Sequence, residues 1–202
     1  MKLETKRLIL RKPKISDWKD IVEGIGDLEV SKNLSNVPYP YKKEDALWWI
    51  KKTIKKWNKK VQEDYSFMIE LKSEKKAIGS LGIHNLDNFN KICTTGSWLN
   101  QKYHRKGYIT EAKIVVNEFA FNKLKMRKME TGAFVDNKAS NATQKSIGYE
   151  YEGLRKKHYL SKSTGKIHDE NLYGLMKEDW KKNLPKLKKH LEEKIKKLDK
   201  KK

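Results

Sequence analysis

Apolar and polar positions alternate along this chain in two periods, and the periods divide it into strands and helices. Leu8, Ile9 and Leu10 form a short apolar run closed by Pro13, which predicts a first strand. Ser16 ahead of Asp17-Trp18-Lys19-Asp20 predicts a helix N-cap with an acidic first turn, the helix fading at Gly24 and Gly26. After the rigid turn Pro38-Tyr39-Pro40-Tyr41, helical spacing runs through Ala46, Leu47, Trp49, Ile50, Ile54 and Trp57. Ser66 to Leu71 and Ala77 to His84 read as a strand pair, and Ile92 to Leu99 as a further strand. A helix with Ala112, Val115, Val116, Phe119 and Ala120 on one face follows. Lys128 to Val135 is strand-like, and Ser140 to Ile147 is a short helix stopped by Gly148. Tyr149 to Leu160 and Ile167 to Met176 make a closing hairpin across Ser161–Gly165. The order β-α-α-β-β-β-α-β-α-β-β predicts a mixed α/β domain built on one sheet.

The tail has a different texture. Leu184, Leu187, Leu191, Ile195 and Leu198 make one apolar stripe of a helix, with Asn183 as its cap and Pro185 in its first turn. Two units are expected: a domain over 1–180 and a basic amphipathic helix over 181–202. The stripe either packs on the domain, seals a dimer or faces a partner, so monomer and homodimer both stay open.

Charge adds a preference for anions. The net charge is +21, and the tail alone holds eleven Lys against Glu192, Glu193 and Asp199. A basic body favours nucleotide cofactors, RNA or acidic surfaces, or it serves solubility alone. Cys93 is the only cysteine, which excludes an internal disulfide and a paired-cysteine metal site; the five His lack zinc-ligand spacing, so no metal is expected. No apolar run approaches the roughly 20 residues of a membrane span, and a cytoplasmic location is expected.

The most informative stretch is Trp98-Leu99 followed by His104-Arg105-Lys106-Gly107-Tyr108-Ile109-Thr110. An apolar strand end runs into a basic turn that opens a helix. The first N–H groups of a helix lack partners inside it, and its dipole adds positive potential there. Gly107 removes a Cβ from the approach path. Such a cradle suits a diphosphate and points to a nucleotide-like cofactor.

Four separated pieces then make the chain resemble the Gcn5-related N-acetyltransferases (GNAT), in particular the RimJ/RimL-like branch that acetylates ribosomal-protein alanines. They are Glu4 to Arg11, Trp98-Leu99 with Gly107 to Ala112, Asn137 to Ser140 with Gly148 to Arg155, and Asp169, Tyr173 and Asp179-Trp180. The resemblance implies a mostly antiparallel single sheet with a splayed central parallel strand pair and flanking helices. Acetyl-CoA would be the co-substrate, its arm between the splayed strands and its diphosphate on the loop. The implied cofactor-binding residues are Trp98, Leu99, His104, Arg105, Lys106, Gly107, Tyr108, Ile109, Thr110 and Asn137. His104, Arg105 and Ile109 depart from the family's pattern, which often has Gly where this chain has Arg105.

Acetyl transfer to an amine needs a neutral amine, a polarised carbonyl and a donor for the departing thiolate. The family's usual Tyr is Gln144 here, and the branch instead implies Ser140, three residues after Asn137, as the catalytic donor. Some relatives carry a Glu where this chain has Gly132, so no base is named; Asp87, Glu70, Glu111 and His84 qualify by chemistry alone. The expected acceptor is a protein N-terminal amine, with ribosome association through the basic surface. A polyamine or other small amine is the alternative, and a catalytically weak ribosome- or RNA-binding module is the reading from another class.

Overall fold

A computed structural model of the chain describes residues 1–59 and 62–200. Its strands are β1 (Lys2–Glu4), β2 (Leu8–Arg11), β3 (Tyr65–Leu71), β4 (Lys76–Asp87), β5 (Ile92–Leu99), β6 (Lys128–Phe134), β7 (Glu150–Leu160) and β8 (Ile167–Met176). Its α-helices are α1 (Trp18–Ile25), α2 (Leu28–Ser31), α3 (Lys43–Trp57), α4 (Tyr108–Glu118), α5 (Lys138–Ile147) and α6 (Lys177–Asp199). All the strands join one sheet in the order β1-β2-β3-β4-β5-β6-β8-β7. Every neighbouring pair is antiparallel except β5 and β6, which run parallel.

Period-two side-chain alternation divides the core between the two faces. Phe67, Ile69, Cys93, Met129 and Leu175 point to the face carrying α4 and α6, where Ala112, Val116, Phe121 and Trp180 complete a cluster. Met68 and Ala77 point to the other face and meet Ile21, Ile25, Ala46 and Ile50 of α1 and α3, with Trp98 packed against them. The sheet thus has an α4/α6 face and an α1/α3 face.

The strand and helix order foreseen from the periodicity is the order found, with β1 and α2 added. These have three and four residues, too few to display a period. Two helix starts differ from expectation. Ser16 lies in a 3₁₀ turn, Ile15–Asp17, and the buried Asp17 instead accepts the Lys14 N–H at 2.7 Å and both arms of the Arg11 guanidinium. The last helix begins at Lys177, not at an Asn183 cap; Pro185 is inside it, and Asn183 packs on Gly148 behind α5.

Candidate active site

The parallel pair opens partway along. Its register runs Ile92↔Lys128, Cys93↔Met129 and Thr94↔Glu130 and goes no further, so β5 and β6 diverge beyond Thr95. The Thr131 hydroxyl donates to the Thr95 carbonyl at 2.9 Å and marks the fork. The Asn100 N–H donates to the Ile78 carbonyl, so in the alternation of an antiparallel ladder the even residues of β5 bond to β4. The N–H and C=O of Ser97 and the N–H of Leu99 therefore face the split, while the Leu99 carbonyl is taken by His104. Buried main-chain polar groups require partners, and an extended amide-bearing ligand could serve as the missing strand here.

A cleft of about 1350 Å³ passes through this split. Trp98, Leu99, His104, Arg105, Gly107, Tyr108, Ile109, Thr110, Asn137 and Ser140 all line it. Lys106 does not. Its ammonium lies over the Tyr103 ring, and its carbonyl accepts from Arg7 at 3.0 Å. The His104 Nε2 bonds to the Leu99 carbonyl at 2.9 Å, which requires its proton on Nε2 and ties the turn to the strand end. Arg105 takes φ 61° and Gly107, the N-cap of α4, takes φ 80°. The Glu111 N–H is the first in α4 to find a carbonyl, that of Gly107, leaving the N–H groups of Tyr108, Ile109 and Thr110 without helical partners.

Two residues remote in sequence complete this end. Arg7 of the β1–β2 turn donates Nε to Glu111 at 2.6 Å and stacks over Tyr108, while its buried Nη2 has no partner among the described residues. The helix α6 lies across Gly107: a Cβ there would stand 3.0 Å from Leu191 Cδ1, 3.5 Å from Arg7 Nη2 and 3.7 Å from Lys194 Cδ. Lys194 also lines the cleft.

Deeper in the cleft, Asn137 caps α5 by accepting the Ser140 N–H at 3.0 Å. Buried Lys113 donates to Gln144 Oε1 at 3.2 Å. A lysine only donates, which fixes the amide's orientation, and Gln144 Nε2 then donates to Ser140 Oγ at 3.4 Å. With its lone pair engaged, the Ser140 hydroxyl keeps its own proton for another acceptor. Burial brings the Lys113 ammonium down to about 8. Burial, then Glu130, pushes the Cys93 thiol up to about 12, so it is no nucleophile near neutral pH.

The four proposed bases separate. Glu111 is bound by Thr5 and Arg7. Glu70 pairs with Arg11, and Asp87 caps the turn at Asn90. His84 lines the cleft and contacts Asp64 at 3.0 Å. Sequence reasoning missed Glu170 of β8, whose carboxylate occupies the space over Gly132. Glu29, Glu130 and Glu152 also line the cleft. Arg105 and Lys194 thus lie at the α4 end of the cleft, and these carboxylates, with Arg155 beside Glu170, line its other side.

A sheet forked at its parallel pair, with a helix N-terminus at the fork's mouth, could take an extended, anionic ligand. The chain belongs to the Acetyltransferase (GNAT) domain family, whose sequence pattern matches residues 7–150. Over 103 residues it is 33% identical to "Putative ribosomal N-acetyltransferase YdaF" of Bacillus subtilis (strain 168), a match covering 50% of this chain and 55% of that relative. Ribosomal-protein-S5-alanine acetyltransferase from Vibrio fischeri superposes with a TM-score of 0.73 at 19% identity, over 89% of this chain and 98% of the other. The microcin C7 self-immunity acetyltransferase MccE, solved with acetyl-CoA and AMP, superposes with a TM-score of 0.71 at 21% identity, over 85% and 93%. Among the described residues no helix is long and apolar enough to cross a membrane.

Proposed function

We propose that this protein transfers the acetyl group of acetyl-CoA to the N-terminal amine of a protein, ribosomal proteins being the first candidates. The observation that carries the donor is the split pair, with the Ser97 main-chain groups and the Leu99 N–H turned into it and the free N–H groups of α4 at its mouth. The pantetheine amides bond to those strand groups. The diphosphate meets Tyr108, Ile109 and Thr110, with Arg105, Lys194 and Arg7 Nη2 supplying charge. Asn137 holds the turn at the inner end. Ser140 hands its hydroxyl proton to the departing sulfur, polarised through Gln144 by Lys113.

The acceptor enters on the α1/α3 face. An N-terminal amine titrates near 7.7–8.0, against about 10.4 for lysine, so far more of it is neutral at pH 7. The ribosomal name of YdaF and the substrate in the name of the Vibrio fischeri enzyme support a protein acceptor. The net charge of +21 suits association with the ribosome. A polyamine is the second reading, favoured by the carboxylates Glu29, Glu130, Glu152 and Glu170 along the cleft.

Thiol release from acetyl-CoA, measured with N-terminal peptides of ribosomal proteins and with spermidine, distinguishes the acceptors. Turnover is expected with the peptides. Turnover with spermidine alone would move the function to small amines. Ser140→Ala should lower kcat about 10²-fold while leaving acetyl-CoA affinity within twofold; an unchanged kcat would remove Ser140 from the chemistry.

A further inference from the structure

We propose that Glu170 is the catalytic residue that takes the proton from the acceptor amine, its carboxylate standing in the side-chain space that Gly132 leaves open beside the split. The inference rests on the acetyltransfer reading above and names a residue within that site.

The two positions belong to adjoining strands. β6 pairs with β8 in the register Gly132↔Leu172 and Phe134↔Glu170, so Glu170 leans along the sheet toward the glycine. A Cβ on Gly132 would fall onto the Glu170 carboxylate, with Cδ at 2.5 Å and Cγ at 3.0 Å. The glycine and the carboxylate are therefore one feature: β6 forgoes a side chain at the fork, and β8 fills the room with a charge. The residue is only 7% exposed, yet it lines the cleft.

The two carboxylate oxygens differ. Oε2 faces Arg155 Nη1 at 3.4 Å and His158 Nε2 at 3.8 Å. Oε1, the oxygen nearest Gly132, has no hydrogen-bond partner among the described residues. Arg155 is half exposed and its contact is long, so the pair adds little to stability. Oε1 is not among the buried unpartnered atoms, so it is open to the cleft, and a cationic acceptor there could take it as a partner.

In the step proposed, the acceptor ammonium gives one proton to Glu170 Oε1. The nitrogen lone pair then forms the C–N bond to the acetyl carbonyl carbon, and the C–S bond breaks with its electrons going to sulfur. Sulfur takes the Ser140 hydroxyl proton, and the serine is restored through solvent by the second proton that nitrogen sheds. Glu170 returns its proton to water, so one proton is released per turnover.

The test follows kcat/KM against pH with an N-terminal peptide. Glu170→Gln should lower it about 10²-fold at pH 7, with acetyl-CoA affinity unchanged by calorimetry. The deficit should shrink above about pH 8, where the amine arrives already neutral. A loss equal at every pH, or no loss, overturns the proposal. A strand exchange guards against misfolding. Gly132→Glu combined with Glu170→Gly returns a carboxylate to the same space, and should run at least tenfold faster than Glu170→Gly alone at matched melting temperature. A double variant no faster than the single one also overturns it. A wild-type chain that acetylates no amine would instead overturn the acetyltransfer reading beneath it.

Discussion

Arg105 shows how one residue can be unfavourable for the backbone and useful to the site. Its φ of 61° lies in the left-handed region, where a Cβ crowds the carbonyl at a cost of about 1 kcal/mol. The family resemblance puts glycine at this position, and the backbone conformation supplies the reason. Arg105 accepts the strain and adds a cation to the mouth of the cleft. Arg105→Gly should therefore raise thermal stability by roughly 0.5–1 kcal/mol and weaken acetyl-CoA binding several-fold. Thermal unfolding and calorimetry on the same sample check both signs. Tighter binding together with higher stability would mean that the guanidinium points away from the phosphates. Lys106, read from the sequence as its equal, illustrates what adjacency conceals. One residue along a tight turn reverses the side chain, and Lys106 ends over Tyr103.

At the scale of elements, α6 resolves an alternative that the sequence reading leaves open. Its apolar stripe was legible, and Leu187, Leu191 and Ile195 are buried in the domain's own core. A stripe does not say what it covers, and here it lies over the α4 N-terminus, with Lys194 reaching the cleft. The helix runs Lys177–Asp199, so it starts a few residues before the expected boundary at 180, and its stripe packs on the domain and reaches the loop, one of the arrangements expected for it. Leu191→Ala should destabilise the fold by about 2–5 kcal/mol. Lys194→Ala should leave melting unchanged and weaken acetyl-CoA binding about fivefold, more at low salt than at high salt. Unchanged affinity at every salt concentration would make α6 a purely structural element. Strands and helices with clear periods were readable because burial on one face dictates the pattern. By contrast, β1 and α2 are held by neighbours rather than by periodicity of their own.

Across the whole molecule, the legible part of the site is the part contiguous in sequence. Trp98 to Thr110 spells out its strand, turn and helix locally, and Asn137 with Ser140 does so at α5. Arg7, Lys113, Glu170 and Lys194 have no local signature, because each acts through a partner from another element: Glu111, Gln144, the space over Gly132, and Gly107. Charge is similarly organised by the fold. A chain of net charge +21 still lines its cleft with Glu29, Glu130, Glu152 and Glu170, an arrangement composition alone could not reveal. The central claim is that the fork between β5 and β6 is the acetyl-CoA channel, and a calorimetric titration of the full chain with acetyl-CoA tests it. Ser97→Pro supplies the comparison, since the Ser97 N–H faces the fork and proline there breaks no bond to β4. The account predicts one saturable site in the wild type and at least tenfold weaker binding in Ser97→Pro, with melting temperatures within a few degrees. Absence of saturable heat in the wild type, or equal affinity in a folded Ser97→Pro variant, would contradict it.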